Sequence, residues 1–165
     1  MSFRYTCRTC GEIHEGMPAL SASAPLFYYA IAPEERAARC ELTSDTCVVD
    51  DAHFFVRGNI DVAVDGLNDH FHWGVWVSLS RENFSLYIEH FENPERSEFG
   101  PFFGWLSAEL KGYPSTENLK TMVHLQDIPF RPSIELEPTD HPLAVEQREG
   151  ISQERLGEIY SAYLH

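Results

Sequence analysis

Two stretches decide the fold: Asn59-Ile60-Asp61-Val62-Ala63-Val64-Asp65, and Phe71-His72-Trp73-Gly74-Val75-Trp76-Val77-Ser78-Leu79-Ser80. In the first, Ile60, Val62 and Val64 alternate with Asn59, Asp61, Ala63 and Asp65, the period-2 signature of a half-buried strand. In the second, Trp73, Val75, Val77 and Leu79 share one face. His72, Gly74, Trp76 and Ser78 share the other. Between them, Asp65-Gly66 and Asn68-Asp69 are turn residues, because Gly, Asn and Asp tolerate the left-handed conformations that tight reversals need. The pair reads as an antiparallel hairpin across a loop of about five to seven residues.

Outward from this hairpin, Phe84, Tyr87, Ile88 and Phe91 fall at helical spacing, so a helix is expected from Arg81 to Phe91, stopped by Asn93-Pro94. Trp105 to Leu110, Leu119 to Leu125 and Ile134 to Leu136 are further strand candidates. Ser152 is a good N-cap for a last helix over Gln153 to Leu164, with Leu156, Ile159, Tyr160 and Tyr163 as its apolar stripe. On the N-terminal side, Pro33-Glu34-Glu35-Arg36 opens a short helix ending near Arg39. Phe3 to Cys7 suits a strand, and Gly11 and Gly16 bracket a loop that ends at Pro18. These elements predict an α+β fold, a mainly antiparallel sheet with a few helices including a C-terminal one. Residues 1–165 read as a single domain, with a zinc-knuckle-like segment over about the first fifty residues packed on the sheet.

Composition narrows the function classes. Of 165 residues, 43% are hydrophobic and 13% aromatic, enough for a packed core without disulfides. Twelve basic against twenty-six acidic residues give a formal charge of −14. Such a chain should repel nucleic acid and anionic membranes, which are bound by clustered Lys and Arg, while a basic protein partner is admitted. The N-terminus lacks a secretion pattern, and no stretch approaches the ~20 apolar residues of a membrane span. The expected compartment is the reducing cytoplasm, where closely spaced cysteines serve as metal ligands or redox groups.

Cys7-Arg8-Thr9-Cys10-Gly11 has the form of a zinc knuckle. A two-residue spacer brings both thiolates to one tetrahedral ion, and the following Gly closes the turn. A structural zinc site takes four ligands. His14, four residues past Cys10, is within local reach, and Cys47 opens a later strand region. The expected set is Cys7, Cys10, His14 and Cys47, with Cys40 and His53 as alternatives. Cys40 ranks below Cys47 because it ends the short helix. A redox pair is disfavoured, since such pairs open a helix and Gly11 and Gly16 argue against one here.

Other constellations are weaker. His70 and His72 share a strand face but lack a third ligand nearby. No serine lies in a GxSxG elbow, and neither GxGxxG nor GxxxxGK[ST] occurs. Arg57 and Arg131 each sit in an apolar, strand-like context, where a guanidinium needs a carboxylate partner or binds an anion or peptide terminus. Trp76, with Trp73, Trp105 and the Phe-rich 99–103 segment, could line a groove, although aromatic stripes more often form core.

Taken together, FRYTCRTCGEIHEGMP (3–18), DTCVVDDAHFFVRG (45–58), HWGVWVSLS (72–80) and RPSIELEPTDHPLAVEQREGIS (131–152) resemble a bacterial family of uncharacterised proteins, domain of unknown function 2199. The resemblance spans nearly the whole chain. It implies that the Cys7, Cys10, His14 motif is paired with Asp45 and Cys47, and that Cys40 is outside the pattern. It also draws attention to His141, Glu146 and Gln147, as functional groups or as helix caps. The resulting expectation is a zinc-stabilised binding or interaction domain without evident catalysis. Its rivals are a metal-dependent enzyme with an open zinc position, and an acidic immunity- or inhibitor-like protein.

Overall fold

The computed structural model describes residues 2–164. Strands β1 (Arg4–Thr6) and β2 (Ile13–Glu15) form a small antiparallel hairpin. The main sheet contains β3 (Leu20–Ser21), β4 (Cys40–Leu42), β5 (Thr46–Val49), β6 (His53–Val62), β7 (Phe71–Leu79), β8 (Phe102–Leu106), β9 (Lys120–His124) and β10 (Ser133–Leu136). Its helices are α1 (Leu26–Tyr29), α2 (Arg36–Arg39), α3 (Arg81–Glu89), α4 (Pro142–Glu149) and α5 (Gln153–Leu164). None is long and apolar enough to cross a membrane. The α+β class and the C-terminal helix agree with the sequence reading.

The central hairpin is β6–β7, antiparallel from Phe54↔Leu79 to Val62↔Phe71. β7 then pairs with β8, β8 with β9 and β9 with β10, all antiparallel. A short parallel contact at Ser133↔Asn59 returns β10 to β6 and closes a five-strand ring. β5 and β4 extend from β6, and β3 adds in parallel to β7. Two glycines permit the tight curvature. A Cβ at Gly104 would stand 2.3 Å from Val77 Cγ1, and one at Gly58 would stand 2.7 Å from the Pro132 carbonyl oxygen.

Strand alternation separates two cores. Phe54, Val56, Ile60 and Val62 on β6 and Trp73, Val75 and Val77 on β7 face one side, joined by Phe102, Leu106, Val123 and Ile134. Leu143 of α4 and Leu156, Ile159 and Tyr160 of α5 seal this core. Burying each Leu or Ile contributes about 1.5–3 kcal/mol. Phe55 and Trp76 point to the opposite side, into a smaller cluster with Ile31, Cys47 and Val49.

Several local expectations change. The Gly11–Gly16 stretch is not all loop, because Ile13–Glu15 pairs back on β1. The helix opening at Pro33 starts as a 3-10 turn, Pro33–Glu35, before α2. The strand expected from Trp105 begins instead at Phe102. The last helix runs over Gln153–Leu164 as expected, and the structure adds α4 before it, ending where Gly150 takes φ +81°. Much of the N-terminal segment is not a knuckle lying on the sheet, since β3, β4 and β5 are strands of the sheet itself.

Candidate functional site

The β1–β2 turn carries the candidate site. Gly11, at φ +76°, donates its N–H to the Cys7 carbonyl at 2.9 Å, and Cys7 N–H donates to Glu12 O at 2.8 Å. This closed turn aims two backbone donors at one sulfur: Thr9 N–H lies 3.4 Å and Cys10 N–H 3.5 Å from Cys7 Sγ. Cys10 Sγ is 3.2 Å from His14 Nε2, because β2 returns His14 opposite Tyr5. One donor atom each from Cys7, Cys10 and His14 falls within 4.8 Å of the others. Cys7 is buried, His14 half-buried and Cys10 exposed.

The turn is fastened to α5. Ser161 Oγ accepts from Arg8 N–H at 3.0 Å, and Ser161 O accepts from Thr9 Oγ1 at 3.1 Å. The Arg8 guanidinium reaches Glu158 at 3.3 Å across exposed surface. Beneath the turn, the Tyr5 ring lies between His14 and Tyr160, with centroids 5.4 Å from each. Burial pushes the Cys7 thiol up, but the N–H groups of Cys10 and Thr9, then the Cys10 and Ser161 side chains, outweigh it and bring the thiol down to about 7. Hydrogen bonds to sulfur favour the thiolate, the form that binds metal. Two thiol sulfurs and an imidazole are a zinc-type donor set.

The structure corrects the expected fourth ligand. Cys47 is fully buried in β5, packed with Val49, Phe55 and Trp76. That cluster lies across the sheet from the core that α5 seals, so Cys47 does not meet Cys7 and Cys10. Burial, and secondarily Cys40, pushes its thiol up to about 12. The alternatives fare no better. Cys40 packs against this same second cluster, and the His53 ring lies tilted against Phe27 with centroids 4.4 Å apart. Among the described residues, Cys7, Cys10 and His14 are the one group of histidine, cysteine or acidic side chains placed so that it could hold a metal ion.

The other singled-out residues divide sharply. Trp76 does not line a groove: it is fully buried, and its Nε1–H donates to Ala22 O at 3.0 Å. His141 is the N-cap of α4. Its Nδ1 accepts from Leu143 N–H at 3.1 Å, which leaves the proton on Nε2 to bond the Pro114 and Ser115 carbonyls. Glu146 pairs with Arg155 at 3.1 Å, so this segment is occupied by the fold. Arg131 Nε meets Asp45 Oδ1 at 3.0 Å. Arg57 Nη1 donates to Ser44 O in the adjacent loop, and its guanidinium lies 5.9 Å from the Trp76 ring centroid. His72 is bonded to Asp61 across β6–β7. Sequence reading missed Ser161 and Arg96. Nothing local marks Ser161 on a helix over 150 residues away, and Arg96 sits in an unpatterned Asn-Pro-Glu-Arg stretch.

The profile of the family "uncharacterized protein conserved in bacteria (DUF2199)" matches residues 6–151, and the chain belongs to that family. The match takes in Cys7, Cys10 and His14. Neither a curated protein nor a solved structure matches the chain.

Proposed function

We propose that this chain is a zinc-stabilised binding protein in which Cys7, Cys10 and His14 hold the ion and lock the β1–β2 hairpin onto α5. The observation that carries the reading is the convergence of three donor atoms within 4.8 Å on a turn that already directs two N–H groups at sulfur. Metal binding would then add folding free energy, because the ligands are not preassembled in the unfolded chain. The test is thermal unfolding of protein purified without chelator. Stripping the metal should lower Tm and re-addition of zinc should restore it. An apo protein that melts no lower than the zinc-incubated one contradicts the reading.

The three-donor count favours a second reading, a metal centre with an exchangeable fourth position. Structural zinc takes four ligands, and a site with three protein ligands accepts water or substrate in the fourth. Cobalt(II)-substituted protein distinguishes the two. Visible bands that shift on adding a small thiol point to an exchangeable position. Bands that do not shift point to a closed structural site.

A further inference from the structure

A cavity of about 470 Å³ lies between α3, the segment around Arg96 and the approach to β10. Its lining includes Tyr87, Arg96, Arg131, Phe91, Ile128 and Pro129. The Arg96 guanidinium is buried. It donates from Nε to Gln126 O at 2.7 Å, from Nη1 to Phe91 O at 2.5 Å and from Nη2 to Phe130 O at 2.7 Å. Those bonds use three of its five N–H groups. Among the described residues it has no carboxylate within ion-pair distance, although a buried guanidinium ordinarily requires one.

Arg131 lines the same cavity, and Arg57 is close enough that the two guanidinium charges repel. One carboxylate, Asp45, serves both. Glu92 is a second acid on the lining, exposed to solvent. In a chain of formal charge −14, this lining carries two arginines against two acids, Asp45 and Glu92, with Arg57 beside Arg131, so the acidic excess of the chain is absent here. Tyr87 stays protonated: burial first, then Asp45, raises its phenol to about 12, so at neutral pH it is an O–H donor.

We propose that this cavity binds a small organic oxyanion, a carboxylate or phosphate monoester on a compact apolar body. Arg96, Arg131 and the Tyr87 O–H would face the anion, and Phe91, Ile128 and Pro129 its apolar part. A concave apolar site with a few convergent polar groups is the usual form of a small-ligand site. Bidentate guanidinium recognition suits carboxylate and phosphate alike. The proposal does not depend on a metal at Cys7, Cys10 and His14.

The test follows the arginine Nε–Hε signals of the full chain by NMR during titration with benzoate, phenyl phosphate, neutral benzamide and inorganic phosphate. Saturable shifts at Arg96 and Arg131 with benzoate or phenyl phosphate, and none with benzamide, are expected; which anion binds tighter identifies the headgroup. Arg131→Gln should weaken binding by about tenfold or more. Glu92→Gln, on the exposed lining where folding is not at stake, should tighten it by about two- to threefold by removing a like charge. The proposal is overturned by the absence of saturation with both organic anions, by shifts of equal size with benzamide, by inorganic phosphate binding as tightly as the organic anions, or by weaker binding in Glu92→Gln.

Discussion

The Gln147 carboxamide takes the place of a neighbouring strand for Leu136. Its Oε1 accepts the Leu136 N–H at 2.8 Å, and its Nε2 donates to Ile134 O at 2.7 Å. β10 meets β6 only at Ser133↔Asn59, so its edge beyond that point would otherwise lack partners. Gln147→Ala should lower stability by about 1–3 kcal/mol, the cost of leaving such groups unpaired. Gln147→Glu keeps the acceptor but sets a carboxylate oxygen against Ile134 O. Denaturant unfolding should find it at least as destabilised as alanine at pH 7, with partial recovery in acid.

Gly104 lets β8 approach β7. Besides Val77 Cγ1, an added Cβ would stand 2.4 Å from Ser78 O, which is backbone and cannot rotate away. Gly104→Ala should therefore destabilise by about 1–3 kcal/mol or more through overpacking. A substitution at Gly112, where a Cβ would meet nothing within 4 Å, carries no such clash, only the strain of its φ of +86°. Chemical unfolding of the Gly104 variant checks the ring closure directly.

Cys47 gives an alkaline signature. Its thiol is raised from an ordinary value of 9.0 to about 12 by burial and then Cys40, so the native state holds that proton more tightly than the unfolded chain. The stability this contributes is complete below pH 9 and is lost as pH rises towards 12. Unfolding free energy should decline over that window, and less steeply in Cys47→Ala. At pH 8 in metal-free protein, a thiol reagent should modify exposed Cys10 rapidly and Cys47 only on unfolding.

The legible parts of this fold were those set by local periodicity. The face assignment along Phe71–Leu79 holds, and α5 runs over the expected Gln153–Leu164 from its Ser152 cap, whose Oγ accepts Arg155 N–H at 3.0 Å. What local pattern could not show was how distant segments meet. The parallel pairings of β3 with β7 and of β10 with β6 join segments far apart in sequence. β2 has only three residues, too few for alternation to declare itself between two glycines. At the site, the Cys7–His14 spacing sufficed to bring three donors together, because a hairpin is local. Cys47 misled because its residue type suits a ligand, while its side of the sheet depends on β5 pairing with β6. In the structure Cys47 and Val49 are buried and Val48 half-buried, an alternation that the continuous apolar run Cys47-Val48-Val49 does not display in sequence. Trp76 follows the same logic, since it falls on the face of β7 opposite Trp73.

The central claim is that Cys7, Cys10 and His14 form the metal site and Cys47 lies outside it. Zinc content per chain, measured on wild type, Cys10→Ser, His14→Ala and Cys47→Ala purified identically, tests this most directly. The account predicts about one zinc per chain in wild type and in Cys47→Ala, and a large loss in Cys10→Ser and His14→Ala. Metal-free wild type, or loss of zinc in Cys47→Ala with retention in His14→Ala, would contradict it.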